Sequence, residues 1–292
     1  MTTSVNSRAS NRKEFQQKLK GLSLTPGSKV GVLLLHGLTG MPNEMRSIAK
    51  ALESIGCVVS VPLLPGHGGT HEELLDTGWK DWTAGARQAL NELDKKVDQL
   101  FIGGLSMGAL MPVLLATENP KVCGIVALSP TIKYDSTSSA NPFKCLLPLV
   151  DLLPFLGRIC YWTEEPPYGV KDERLQKIIT KELEAAKRGE KTGFGQYRTY
   201  AGSLRQLQHL VGQVKKQAHK VSCPVLIMHS REDTITSVAN PEKFYSWLGC
   251  TDKEIIYLTG CDHVLPLDLK RDEVAYHFAS FVCRVSAAVA AR

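Results

Sequence analysis

The stretch QLFIGGLSMGALMPVLLA, residues 99–116, decides how this chain reads. Gln99 to Gly103 form a short apolar run of the kind a buried strand shows, and a second apolar run extends from Ala109 to Ala116. Between them stands Gly104-Leu105-Ser106-Met107-Gly108. Gly-x-Ser-x-Gly between a strand and a helix describes a tight turn with the serine at its apex. The backbone there is strained, and side chains two residues before and after would collide, so both positions take glycine. The turn lifts the serine hydroxyl clear of the sheet, at the positive end of the following helix. The same five letters also arise by chance in ordinary loops. The flanking strand and helix, and further segments in chain order, favour a nucleophile at Ser106.

His36-Gly37-Leu38-Thr39-Gly40 directly follows the strand pattern Val30 to Leu35. Acyl transfer passes through a tetrahedral intermediate with a charged oxygen. Two backbone N–H groups usually stabilise it, one from the residue after the nucleophile and one from a loop near the start of the domain. Met107 and Leu38 are the candidates. A plain turn punctuated by glycines is the alternative reading of the loop, and His36 is read as a residue that shapes it. Pro224 to His229 is another buried-strand pattern, running into Ser230-Arg231-Glu232-Asp233-Thr234. An acid just past a strand's C-terminal end is where a doubly wound sheet places its active groups. Asp233 is favoured, with Glu232 as its local rival and a solvated loop carboxylate as the alternative for both. Glu254 to Leu258 reads as the next strand, and its loop carries His263, the candidate base. Asp262 adjoins it and receives no role in the triad. His67, His71 and His229 are read as structural.

The chain resembles the α/β-hydrolase superfamily, and more closely the bacterial carboxylesterases and monoacylglycerol lipases. The matching stretches are LLLHGLTG (33–40), LLPGHGGTHEEL (63–74), TGWKDW (77–82), GLSMG (104–108), HSRED (229–233) and GCDHVLPLD (260–268). The resemblance implies Ser106 as nucleophile, His263 as base, Asp233 as orienting acid, and Leu38 and Met107 as oxyanion donors. Two departures stand out. Ala109 occupies a position where a further glycine is common, and Pro112 lies early in the next helix, where a lost donor and a kink are expected.

At 292 residues, the chain suffices for one large α/β domain with an insertion, or for two small domains. A hydrophobic content of 43% with 22% charged residues fits a packed core rather than disorder. The net charge of +6 is moderate. Its one local excess, at Arg8, Arg12, Lys13, Lys18 and Lys20, reads as a solvated arm, and no nucleic-acid-binding motif accompanies it. The first 28 residues lack the apolar segment of a secretory signal. The apolar run Cys145 to Trp162 is broken by Pro148, Asp151, Pro154 and Arg158, which argues against a membrane span. The 8 cysteines show no metal-ligand spacing, and reduced thiols in a cytoplasm are the expectation. Neither a metal nor a cofactor is expected. Oligomeric state is left open.

From Lys29 onward, apolar strands alternate with amphipathic helices, which implies a mainly parallel, doubly wound sheet covered on both faces. The expected division is a polar arm (1–28), a core (29–130 and 203–292) and a helical cap insertion (131–202). Thr131 to Gly202 holds no convincing sheet strand; it reads as a cap over the turn at Ser106, or as an excursion that only buries the sheet edge. Leu146, Leu147, Leu149, Leu152, Leu153, Phe155 and Leu156 are the candidate acyl lining, or equally the core of the cap. The expected function is serine ester hydrolysis of short- to medium-chain acyl esters or monoacylglycerols. A thioesterase or acyltransferase with the same triad is the alternative, and a ligand-binding protein on the same scaffold, a cofactor-free haloperoxidase and a C–C hydrolase are the remaining readings.

Overall fold

The computed structural model describes residues 14, 15, 17–135, 149–190 and 195–291. Arg8, Arg12, Lys13, Cys145, Leu146, Leu147 and Pro148 therefore lie outside the described residues. The strands are β1 (Val30–Leu35), β2 (Val58–Ser60), β3 (Gln99–Leu105), β4 (Val122–Leu128), β5 (Tyr161–Thr163), β6 (Arg198–Tyr200), β7 (Val225–Ser230) and β8 (Lys253–Leu258). The helices are α1 (Arg46–Ser54), α2 (His71–Leu75), α3 (Trp79–Asp94), α4 (Met111–Glu118), α5 (Leu149–Leu152), α6 (Leu156–Ile159), α7 (Glu173–Lys187), α8 (Ala201–Gln217), α9 (Ala239–Trp247) and α10 (Arg271–Ala290).

Six strands form the central sheet in the order β2-β1-β3-β4-β7-β8. All five of its ladders are parallel. This is the architecture of the α/β-hydrolase fold. The apolar runs explain it: β1 and β3 are buried at every position, as strands covered on both faces must be. Residues of β3 alternate between two cores. Leu100 and Ile102 join Trp82 of α3, Leu114 of α4 and Leu207 of α8, whereas Phe101 and Leu105 join Ile48 of α1 and Phe278 of α10. Register brings the functional loops to one edge. Leu35 pairs with Gly104, and Leu105 with Leu128, so the loops after β1, β3 and β4 leave the sheet side by side.

Three local expectations are corrected. Pro112 sits in the first turn of α4, which starts at Met111 after a 3-10 turn over Ser106–Ala109. No intrahelical donor is needed there, so the proline is compatible with the helix rather than a cause of kinking. The stretch between β4 and β7 does carry strands: β5 and β6 pair antiparallel, away from the central sheet. They are only three residues each, too short to stand out as a pattern. The end of the basic arm is not simply solvated. Leu19 is buried, and Phe15, Leu22 and Leu24 pack on the α1–α10 core.

Candidate active site

Ser106 stands at the end of β3 with φ 58°, in the left-handed region that L-residues seldom adopt. The neighbouring glycines make that conformation possible. A Cβ added at Gly104 would run into the backbone of Gly108, and one at Gly108 into the carbonyl oxygens of Leu35 and His36. The spacing read from the sequence is thus a steric requirement, set at Gly104 by the Gly108 backbone and at Gly108 by the end of β1. The serine is nearly buried, and its Oγ lies 2.8 Å from Thr131 Oγ1.

The loop after β1, which carries Leu38, is held from several directions. His36 is fully buried, and its Nε2 accepts from the Leu64 N–H at 3.1 Å. Its Nδ1–H is thereby the protonated nitrogen and donates to Gly37 O at 2.9 Å. Burial and the nearby His67 push its pKa down to about 3, so it is a neutral strut. The Glu44 carboxylate accepts from the Gly37 N–H at 3.2 Å. Burial raises that carboxyl to about 7, against the opposing hydrogen bonds from the loop amides. Thr39 adopts φ 62°, and its carbonyl accepts from the Gln196 N–H at 2.9 Å. Gln196 Nε2 also donates to Thr70 O at 2.7 Å, so the segment before β6 is fastened to this loop and to the start of α2. The Leu38 amide donates to no protein acceptor among the described residues.

His263 follows β8, and its Nδ1 lies 2.7 Å from Asp233 Oδ2. Asp233 follows β7 and is locked in place. Its Oδ1 accepts from the N–H groups of Ile235 (2.8 Å) and Thr236 (2.7 Å), while Oδ2 also accepts from Thr236 Oγ1 at 2.9 Å. Burial alone would raise the Asp233 carboxyl, but the charge of His263 and its hydrogen bond hold it below the ordinary value. Burial opposes the imidazolium in turn, yet Asp233 outweighs it and His263 is raised. The rival Glu232 turns outward, accepting from the Gly260 N–H at 2.8 Å and pairing with Lys171. Asp262 is spent on backbone: its Oδ1 accepts from the N–H groups of Thr234 and His263, both at 2.7 Å. His229 is fully buried, pushed down to about 4 chiefly by burial, and 3.6 Å from Asp233 Oδ2. His67 packs edge-on against His36 and Trp82, and His71 against Tyr197 and Tyr200.

One cavity of about 150 Å³ collects Leu38, Ser106 and His263. Its apolar wall is Val170, Ile179, Leu183, Ile235, Val264 and Leu267. Of the residues expected to line it, Leu149, Leu152, Leu153 and Phe155 are exposed on and between α5 and α6, and Leu156 packs against the core that holds Trp82 and Leu207; Leu146 and Leu147 lie outside the described residues. The wall comes instead from α7, the turn before it, and the loops after β7 and β8. The polar wall holds Glu44, Tyr134, Glu164 and Thr199. Thr199 Oγ1 donates to Glu164 at 2.9 Å, and burial, more than this bond offsets, raises the Glu164 carboxyl. Thr131, Thr236, Glu44 and Glu164 were not singled out from sequence. Thr131 was findable in principle, since it lies just past the C-terminal end of β4.

The sequence profile of the serine aminopeptidase S33 family (Hydrolase_4) matches residues 27–270. A thermostable monoacylglycerol lipase from Bacillus sp. (strain H-257) is 31% identical over 239 residues, covering 82% of this chain and 84% of that protein. A carboxylesterase from Bacillus subtilis (strain 168) is 24% identical, covering 85% of this chain and 90% of its own. A solved structure from the metagenome-derived lipolytic enzymes LipS and LipT superposes with TM-score 0.69 at 28% identity, covering 90% of this chain and 96% of that one. Sequence and fold agree over most of the chain, which belongs to the serine aminopeptidase S33 family of α/β-hydrolases.

Proposed function

We propose that the chain hydrolyses carboxylic esters through an acyl-serine, with Ser106 as nucleophile, His263 as base and Asp233 as orienting acid. The coarser statement, an ester hydrolase of the α/β-hydrolase type, follows from the family and from relatives named monoacylglycerol lipase and carboxylesterase. The finer one is carried by a single observation: a serine at positive φ shares a cavity with a histidine whose far ring nitrogen is 2.7 Å from a buried carboxylate. His263 Nε2 takes the Ser106 proton as Oγ attacks the ester carbonyl. The Leu38 and Met107 amides receive the oxyanion. His263 then protonates the departing alcohol, and water repeats the cycle on the acyl-enzyme. Asp233 fixes the Nδ1–H tautomer and stabilises the charged imidazole.

The substrates are short- to medium-chain acyl esters or monoacylglycerols. Supporting this, the cavity of about 150 Å³ is below the ~300–1,000 Å³ common for pockets that take drug-sized ligands. Its apolar wall suits an acyl chain, and its Glu44, Glu164 and Thr199 side the more polar part of the ester. The helices and the β5–β6 ladder between β4 and β7 (131–202) are proposed to act as a cap that excludes water from the reacting ester. Hydrolysis of p-nitrophenyl esters from acetate to palmitate, with Ser106→Ala alongside, tests the proposal. Turnover that vanishes in a folded Ser106→Ala supports it. A fully active variant overturns it; activity confined to thioesters would replace the alcohol leaving group by a thiol, and activity confined to acyl transfer would replace water as the acceptor.

A further inference from the structure

We infer that Thr131 is a positioning residue that holds the Ser106 hydroxyl, proton included, away from His263 until substrate enters. The inference rests on Ser106 being the nucleophile. Thr131 Oγ1 is 2.8 Å from Ser106 Oγ and 3.2 Å from the carbonyl oxygen of Ser129. A threonine hydroxyl has one proton and two lone pairs. The Ser129 carbonyl can only accept, so it takes the Thr131 proton. Thr131 then offers Ser106 a lone pair alone, and the Ser106 O–H donates to it. Thr131 is fully buried, so no solvent competes for either bond.

The surrounding backbone gives Thr131 little freedom to move. Ser129 adopts φ 45° and donates its N–H to Met228 O at 2.8 Å. The N–H groups of Ile132 and Lys133 both donate to Asn240 Oδ1, at 2.9 and 2.8 Å. The same short segment also reaches the base, since Ser129 Oγ donates to the His263 carbonyl at 2.8 Å. Three residues past β4 thus touch both the nucleophile's hydroxyl and the base's backbone. Thr131 and His263 compete for one proton. Acylation must break the Ser106–Thr131 bond and turn the hydroxyl toward Nε2, so that bond lies on the ground-state side of the barrier.

Thr131→Val keeps the shape and removes the acceptor. With no Thr131 oxygen, the Ser106 O–H is expected to rest on His263 Nε2. Burst-phase acylation by p-nitrophenyl butyrate, and labelling by a fluorophosphonate, should then be about three- to ten-fold faster, the range that the net worth of one neutral hydrogen bond allows. A hydrogen bond donated to the neutral imidazole also favours that form. The acidic limb of kcat/KM should therefore move to lower pH in Thr131→Val. The groups facing His263 are Asp233, Asp262, Glu44 and Glu164, with His229 held neutral by burial. All are common to both enzymes, so the shift reads the serine proton. Thr131→Ser, which keeps the hydroxyl, should behave as wild type. Slower acylation in Thr131→Val, or rates within two-fold of wild type and an unmoved acidic limb, overturns the inference. So does a Thr131→Ser enzyme that departs as far as the valine variant. If Thr131→Val does not fold, Thr131→Ala takes its place with the same readouts. Ser106→Ala separates the two levels: a fully active, folded Ser106→Ala defeats the nucleophile assignment itself, whereas an inactive one beside an unchanged Thr131→Val defeats only the role of Thr131.

Discussion

Replacing Asp233 by asparagine should abolish most activity while leaving the fold intact, and the reason lies in which way the new amide must point. Oδ1 accepts two backbone N–H groups, from Ile235 at 2.8 Å and Thr236 at 2.7 Å. An asparagine NH2 placed there would face two donors and leave both buried N–H groups unpaired, at about 1–3 kcal/mol each. The amide oxygen therefore takes the Oδ1 position, and the NH2 takes the Oδ2 position, 2.7 Å from His263 Nδ1 in the native enzyme. It donates to Nδ1, which forces the proton onto Nε2. Imidazole in that tautomer cannot accept from Ser106. Triads forced into the wrong tautomer in this way lose about 10⁴ in kcat, or ~5.4 kcal/mol of transition-state stabilisation. A loss of about 10³–10⁴ is the expectation here, measured as kcat on a p-nitrophenyl ester, with thermal unfolding as the control for folding. Glu232→Gln should stay within about two-fold of wild type, because that side chain faces Gly260 and Lys171. A folded Asp233→Asn within ten-fold of wild type would refute the reasoning. A large loss in Glu232→Gln instead would transfer the role to its neighbour.

The pH profile should follow the raised His263. Its neutral form is the base, so kcat/KM should fall with decreasing pH through a midpoint above the ordinary 6.5, and a midpoint below 6.5 would contradict the Asp233–His263 pairing. Linkage sets the matching stability trends. His263's contribution is full below 6.5 and fades as pH rises through its raised value, while Asp233's is present above 3.8 and fades as pH falls through its lowered one. Ile179→Trp should fill the apolar wall. Octanoate and longer esters are expected to lose at least ~10-fold in kcat/KM relative to acetate, and an unchanged chain-length series would place the acyl chain elsewhere. Gly108→Ala pushes a methyl into the Leu35 and His36 carbonyls. Overpacking of this kind costs about 1–3 kcal/mol, read as a fall in melting temperature together with lost turnover, and a variant as stable and active as wild type would show that the turn has slack.

What could be read from the sequence follows from how locally each feature is encoded. The turn at Ser106 is legible because glycine is required at two fixed places in it: a Cβ at Gly104 would meet the Gly108 backbone and one at Gly108 the Leu35 and His36 carbonyls, so five consecutive letters mark it. Asp233 and His263 are legible because a parallel sheet sends its loops to one edge, and each follows an apolar strand. The choice between Asp233 and Glu232 is not settled by that logic. It depends on the turn closed by Thr236, whose N–H and hydroxyl both reach Asp233. The acyl wall misled for a related reason. The run from Leu149 to Leu156 is as apolar as a cavity wall, but α5, α6 and their link are single turns whose orientation no periodicity fixes, and four of these side chains face solvent. The polar wall is assembled from residues as far apart as Glu44, Glu164 and Thr199, and pairing at that range has no local signature.

The carboxyls around His263 illustrate how environment rather than residue type assigns charge. Asp233 is buried and Glu44 partly buried, and desolvation pushes both toward neutrality. Asp233 receives two backbone N–H groups, a threonine hydroxyl and the imidazole, and stays ionised. Glu44 accepts from loop amides and feels His263 only weakly, with no ion pair among the described residues, and its carboxyl rises to about 7. The difference suits the two places. On the proposed mechanism, a fixed negative charge beside His263 Nδ1 would stabilise the imidazolium that forms as Ser106 attacks. A fixed negative charge behind Gly37, one residue from the Leu38 amide, would oppose the oxyanion developing there. A Glu44 side chain that is largely protonated below pH 7 can brace the loop through its hydrogen bond without that full penalty. On the proposed mechanism, ionisation of Glu44 above pH 7 would add to that penalty, an alkaline-side effect of a carboxyl that lines the same cavity as Ser106.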